Sequence, residues 1–395
     1  MGEHSSVTSI SPLMATYSRF PVTLVKGKGS YVWDDQGNKY LDFTSGIATC
    51  NLGHVPDVVK AKVEEQISNL WHCSNLYHIP NQQELASILV ANSCGDQVFF
   101  CNSGAEANEA AIKLARRYSQ KIKGTDKFEV VTFEKSFHGR TLATLSATGQ
   151  EKIQHGFYPL VQGFSYLPFN DIEALEQLYE LEPAAVLLEL VQGEGGVIPA
   201  DADWVQKLAK ICSEKDILLM VDEIQTGMGR TGSLFAYEQY GIEPDVISLA
   251  KGLGSGFAIG AIIAKEKAAC AFDPGSHGST FGGNPLAAAA GLATVTYLVN
   301  SKLLEQASKV AEYLDTKLEE VKTQFSFIKG IRGKGMLKGI VVEENALQIV
   351  QAAIANKLLI LTAGPDVVRI LPPLTATIEE VNQFIVILEK VFQGI

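Results

Sequence analysis

The run ILLMVDEIQTGMGRTG fills residues 217–232, and VISLAKG follows at 246–252. Ile217–Val221 is a short, continuous apolar segment that ends in two acids, Asp222 and Glu223. Val246–Ala250 is a second such segment, and it ends in Lys251. Segments that are apolar throughout, rather than alternating, read as strands buried on both faces of a sheet covered by helices. Residues just past the carboxyl end of such strands face the ligand crevice of an α/β fold. The two runs therefore predict neighbouring strands that present an acid and an amine to one crevice.

Working outward, the same grammar repeats. Val98–Cys101, Phe128–Phe133, Ala184–Leu190 and Ala258–Ala264 are further buried-strand candidates. Helical spacing over Ser103–Tyr118, with apolar residues at 107, 110, 111, 114, 115 and 118, and a helix near Trp204–Glu214 lie between them. Strands alternating with helices imply an α/β fold with a mostly parallel sheet between helices. Before it, Tyr31–Trp33 and Tyr40–Phe43 flank the turn residues Asp35–Asn38 and read as a hairpin. After Pro285 the chain is helix-rich to about Thr323, with short strands near Ile340–Val342 and Val368–Leu371 and a last helix from about Ile378. This suggests three parts. Residues 1–45 are an N-terminal segment belonging to a smaller α+β domain, residues 46–284 the large ligand-binding domain, and residues 285–395 the rest of the small domain.

Composition narrows the function. The 395 residues, 46% hydrophobic and 19% charged, can build a full core, and the net charge of −11 argues against nucleic acid as a partner. Six cysteines without Cys-x-x-Cys spacing read as thiols of a reducing cytoplasm, and His72 and His78 lack a third ligand, so no metal is expected. The N-terminal MGEHSSVTSISP has no basic region followed by an apolar run, so no signal peptide is read. Gly278–Ser301 carries no charge, but it is rich in Ala, Gly and Thr and contains Pro285; it reads as a buried helix from near Pro285, not a membrane span.

Five clusters carry chemistry. Asn102-Ser-Gly-Ala-Glu-Ala-Asn108 lies between a strand and a helix, where the backbone N–H groups of Ser103, Gly104 and Ala105 could hold a phosphate; a plain Ser N-cap is the bland alternative. Asp222 needs a charged partner if it is buried, and a pyridinium nitrogen would serve. Lys251 precedes glycines at 252, 254 and 256 and could act as a nucleophile toward carbonyls; a solvated loop lysine is the alternative. Phe137-His-Gly-Arg-Thr141 offers an aromatic face and, in Arg140, a fork for a carboxylate, with His138 read as a structural hydrogen-bonder. Gly278-Ser-Thr-Phe-Gly-Gly-Asn284 adds Thr280 as a phosphate ligand. In this order they suit a pyridoxal-phosphate site, with its Lys and its pyridinium partner. A competitor, Gly227-Met-Gly229-Arg-Thr-Gly232, matches a dinucleotide fingerprint, but Asp222–Thr226 separate it from the strand and Asp245 precedes the next strand instead of ending it.

The segments KGKGSYVWDDQG, LWHCSN, NSGAEANEAAIKLAR, FHGRT, VQGEGG, DEIQTGMGRTG, GSHGSTFGGNPLA and IRGKGM, in this order, resemble the class-III, fold-type-I pyridoxal-phosphate aminotransferases from about Tyr17 to the C-terminus. Within that family the sequence looks most like members acting on acetylornithine in arginine biosynthesis. The resemblance implies a seven-stranded, mostly parallel sheet and a homodimer of two-domain subunits. It implies that Lys251 holds the cofactor and moves the proton, that Asp222 pairs with the pyridinium nitrogen, and that Gln225 lies near the ring hydroxyl. Phe137 would stack on the ring, and Ser103, Gly104 and Ala105 would bind the phosphate. Thr280 would reach the phosphate of the neighbouring subunit, with Ser279 beside it. Tyr17, Arg140 and Ser279 would contact the substrate. Glu189 and Arg369 would form a switch pair, Arg369 gripping the α-carboxylate of glutamate or 2-oxoglutarate and Glu189 covering it otherwise. The implied reaction passes the amino group of N2-acetyl-L-ornithine to 2-oxoglutarate; ornithine, succinylornithine, 4-aminobutyrate or a diaminopimelate precursor are the alternative donors. Two positions depart from the family pattern: Leu190 stands where Pro is common, and Ala105 where Thr is.

Overall fold

The computed structural model describes residues 12–343 and 345–395. The leader reading of the first residues lies almost wholly outside them. The central sheet has seven strands: β1 (Gln97–Cys101), β2 (Val130–Phe133), β3 (Phe164–Leu167), β4 (Ala185–Leu188), β5 (Leu218–Asp222), β6 (Val246–Leu249) and β7 (Gly260–Ala264). Their order across the sheet is β1-β7-β6-β5-β4-β2-β3. β7 pairs antiparallel with both β6 and β1, so it alone runs against the other strands. The pairs β6/β5, β5/β4, β4/β2 and β2/β3 are parallel.

The apolar runs behave as their composition requires. Every residue of β2, β4, β5, β6 and β7 is buried, because helices cover both faces of the sheet. Helix α1 (Gly104–Arg117) turns Ala107, Ala110, Ala111 and Leu114 inward; three of the four are alanine, which lets the helix lie close against the sheet. On the other side the helix Ala202–Lys215 seats Trp204 edge-on against Phe133 and Phe169. Strand β3 is absent from the sequence expectation. Its sequence FSYL sits at the sheet edge with Tyr166 exposed, so it lacks the all-apolar signature of the inner strands.

The hairpin Tyr31–Asp34/Lys39–Asp42 forms, and an extra strand, Leu24–Lys28, pairs on its outer side. Residues Leu358–Leu359 join the hairpin in parallel, which ties the N-terminal strands to the C-terminal region. A second four-stranded sheet includes Ile328–Lys334, Leu337–Val342 and Val367–Ile370. Helix Pro285–Asn300 begins where Pro285 predicts and is buried along most of its length, packed on Asp57–Ile67 and Pro80–Ala91. Among the described residues no helix is long and apolar enough to cross a membrane.

Candidate active site

The strands that share a direction deliver their carboxyl ends to one edge. Asp222 closes β5, Glu189 follows β4, Lys251 lies just past β6, Asn102 and Ser103 follow β1, and Phe137 and His138 lie in the loop after β2. These residues, with Gly104, Ala105, Arg140 and Gln225, line a single cavity of about 470 Å³.

Asp222 is 4% exposed and held by three donors. Its Oδ2 accepts from Asn108 Nδ2 at 2.7 Å and lies 2.8 Å from His138 Nδ1, while Oδ1 accepts from the Ile224 N–H at 3.0 Å. A carboxylate can only accept, so His138 carries its hydrogen on Nδ1. His138 is thus the structural hydrogen-bonder the sequence suggested, and it fixes the Asp222 carboxylate at the cavity wall.

Lys251 has a backbone φ of 41°, a strained value for a side chain of its kind. The next residue must be glycine: a Cβ at position 252 would stand 2.2 Å from Asn51 Nδ2. Burial lowers the Lys251 amine below its usual range, with Arg369 acting in the same direction and Glu194, Asp222 and Glu189 opposing. An amine lowered in this way is neutral more of the time near pH 7, and only the neutral form can attack a carbonyl or take a proton. Glu189 moves the other way. Burial and the nearby Asp222 raise its carboxyl well above the ordinary range, and the N–H bonds from Phe137 (2.9 Å) and Gly193 (3.4 Å) only partly offset this.

The two expected switch residues, Glu189 and Arg369, are not bonded to each other in this structure. Arg369 is 2% exposed, and its Nη1 donates to Glu194 Oε1 at 2.5 Å, to the Gly193 carbonyl at 3.1 Å and to Gln225 Oε1 at 3.3 Å. Its carboxylate partner is Glu194, five residues beyond Glu189, which is occupied by backbone N–H groups. The turn between them decides this. Gly193 packs on the Gln225 side chain, where a Cβ would meet Oε1 at 2.4 Å, and Glu194, the next residue, faces Arg369. Glu194 lies within the VQGEGG run, residues 191–196, where nothing in the sequence marks it apart from Glu189.

Ser279 and Thr280 stand elsewhere. They line a second cavity with Glu106 and Phe281, on the far side of Asn102, which borders both cavities. Ser279 Oγ accepts from Asn102 Nδ2 at 3.1 Å. Tyr17 is 75% exposed, stacked beside Arg19, and is not a wall residue of the Lys251 cavity. The glycine-rich competitor at 227–232 is no phosphate cradle. Arg230 within it is fully buried and donates to the carbonyls of Met336 and Pro372 and to Asn51 Oδ1.

Thr49, another wall residue, is delivered by an unusual turn. Ser45, Gly46, Ile47 and Ala48 all have φ between 46° and 62°. Left-handed backbone costs about 1–2 kcal/mol per non-glycine residue. Asp42 holds the turn through Oδ1, which accepts from Thr44 and Ser45 N–H, and Ser45 Oγ donates to the Leu371 carbonyl at 2.6 Å. The other Asp42 oxygen meets His54 Nε2 at 2.7 Å.

The residues present suit a phosphorylated pyridine ring. The first N–H groups of α1 have no acceptor within the helix. Ser103 caps α1 by accepting from the Glu106 N–H, which leaves the Gly104 and Ala105 N–H groups at the cavity for a phosphate. Phe137 supplies a flat wall, Asp222 a fixed negative charge and Lys251 an amine. Fold and site together define an aminotransferase that works on pyridoxal 5′-phosphate. Residues 13–392 match the family Aminotransferase class-III, and the chain belongs to it.

Relatives agree in chemistry. An acetylornithine aminotransferase of Oceanobacillus iheyensis is 58% identical over 388 residues, covering 98% of this chain and 97% of its own. An N-acetylornithine aminotransferase structure from Stenotrophomonas maltophilia has a TM-score of 0.84 and 38% identity, covering 96% of this chain and 97% of its own. An ornithine aminotransferase structure from Toxoplasma gondii, with pyridoxal phosphate at partial occupancy in its active site, has a TM-score of 0.91 and 32% identity, covering 96% of this chain and 92% of its own.

Proposed function

We propose that this enzyme transfers the side-chain amino group of N2-acetyl-L-ornithine to 2-oxoglutarate, giving N-acetyl-L-glutamate 5-semialdehyde and L-glutamate, in the cytoplasm and as a step of arginine biosynthesis. The observation that carries the reading is the covered arginine beside the cavity. A reaction with two unlike substrates needs a carboxylate grip for glutamate that is closed when the other amine reacts. Arg369 under Glu194 has this form.

The bound cofactor supplies an electron sink for the carbon that carries the transferred nitrogen. The chain does the rest. Lys251 Nζ would hold the cofactor and, once the incoming substrate amine has displaced it, would take a proton from the substrate carbon and hand it on. Asp222 would stabilise the positive charge of the ring nitrogen. Ser103, Gly104 and Ala105 would grip the phosphate, Phe137 would stack on the ring, and Gln225 would lie near the ring hydroxyl. Arg140 would contact the acylated donor, with Ser279 reaching it from the neighbouring subunit and Tyr17 brought to it from the N-terminal segment. Thr280, exposed and outside its own subunit's cavity, suits the phosphate of a second subunit, so the working unit is a homodimer.

The test is a panel of donors with 2-oxoglutarate as acceptor and glutamate as readout. Acetylornithine is expected to give the largest kcat/KM. Ornithine is the second reading, favoured by the likeness to the Toxoplasma gondii structure. Turnover of 4-aminobutyrate alone would remove acetylornithine and leave the aminotransferase class standing.

A further inference from the structure

Glu194 borders two spaces. Its carboxylate reaches Arg369 on one side, and on the other the residue lines a separate cavity of about 460 Å³. The charged groups on that second wall are Lys135, Glu151, Lys152, Arg332 and Asp366, besides Glu194 itself. Lys135, Glu151, Lys152 and Asp366 are exposed, so water screens them, whereas Arg332 is half-buried. Arg332 lies in strand Ile328–Lys334, and its Nη1 donates only a long bond, 3.3 Å, to the Gly196 carbonyl. Among the described residues it forms no salt bridge. A half-buried guanidinium with five donors and one long backbone bond is short of an anion.

Arg369 is placed to exchange one carboxylate for another. Its Nε is buried without a hydrogen-bond partner among the described residues, so the guanidinium keeps a donor to spare for a second carboxylate. Glu194 then needs somewhere to go. Burial opposes its charge, while Arg369, Lys251 and Gln225 together favour it and hold its carboxyl below the usual range in the paired position. An anion turned into a space without a partner would be disfavoured, and the exchange with it.

We propose that Arg332 is the receiving group: when a substrate carboxylate occupies Arg369, the Glu194 side chain swings into the second cavity and pairs with Arg332. This rests on the reading of Arg369 as the grip for glutamate and 2-oxoglutarate. Arg332 is then a positioning residue that sets how readily the enzyme accepts a dicarboxylate, without touching substrate or cofactor.

The experiment uses the cofactor-loaded enzyme and glutarate, a dicarboxylate with no amino or keto group to react. In Arg332→Gln, calorimetry is expected to show glutarate binding weakened about tenfold, with kcat/KM for glutamate falling alike and that for acetylornithine within about twofold of the parent. Arg332→Lys, which keeps the charge, is expected to recover most of the loss. In a Glu194→Gln background, Arg332→Gln is expected to leave glutarate binding within about twofold. Equal loss in both half-reactions, unchanged glutarate binding, or the same loss without Glu194 would each overturn the proposal. So would a glutarate-bound crystal in which Glu194 still lies on Arg369. A parent enzyme that neither binds glutarate nor reacts with glutamate would instead remove the reading of Arg369.

Discussion

Glu194 and Arg369 meet at 2.5 Å beside the cavity that holds Lys251, with Gln225 bonded to the same guanidinium nitrogen. One acid thus decides whether the enzyme presents a cation to its substrate. Glu194→Gln leaves Arg369 uncovered for either substrate. The acylated donor, which carries its own carboxylate, should then bind in a second, unreactive orientation. We expect kcat/KM for the donor half-reaction to fall about tenfold while that for glutamate holds or rises. Single-turnover absorbance of the bound cofactor measures both, and an equal fall in the two would contradict the assignment.

Asn108 supports the reaction without touching substrate. It donates to Asp222 Oδ2 at 2.7 Å. A hydrogen bond to a charged group is worth about 1.5–3 kcal/mol, so Asn108→Ala should loosen Asp222 and weaken cofactor retention by about ten- to a hundredfold. Dialysis against graded cofactor gives the constant. Retention equal to the parent would show that Asp222 is held adequately by His138 and Ile224 alone.

The His54–Asp42 pair makes stability depend on pH. The bond to Asp42, with Cys50 adding to it, raises the imidazole from 6.5 to about 10. Its stabilisation is therefore complete below 6.5 and lost as pH rises through about 10. His54→Gln should destabilise by about 1.5–3 kcal/mol at about pH 6, and the gap should narrow toward pH 10. Thermal melts of both proteins across that range test the sign; a gap that widens with pH would refute it.

Thr280 offers a test of subunit sharing. A Lys251→Ala chain and a Thr280→Val chain are each expected to be deficient alone, the first almost inactive and the second about tenfold weaker in cofactor retention. In a mixed dimer, one site receives Lys251 from one chain and Thr280 from the other. Unfolding and refolding the two together should restore activity at that site. If the mixture performs only as the sum of its parts, Thr280 does not serve a neighbouring subunit.

Much of this was legible in the chain. The inner strands are buried on both faces, so their sequences are predominantly apolar, and their carboxyl ends announce Asp222 and Lys251. Strand β3 was silent because an edge strand with Tyr166 in solvent has a mixed pattern. The reversal of β7 leaves no mark either, since an inner strand looks alike in both directions. Glu189 and Glu194 are acids of one short run, and only the turn around Gly193 separates their partners. Tyr17 lies where nothing in a single chain draws it toward Lys251.

Arg230 knots distant parts of the chain together. Its acceptors are Asn51 Oδ1 and the carbonyls of Met336 and Pro372, spread from near the start of the chain to near its end. A guanidinium cannot sit in a dry interior without such acceptors. The loop that follows Asp222 is thereby tied to segments around residues 51, 336 and 372, and a change in any of the three leaves a buried donor of Arg230 unmatched close to the catalytic acid.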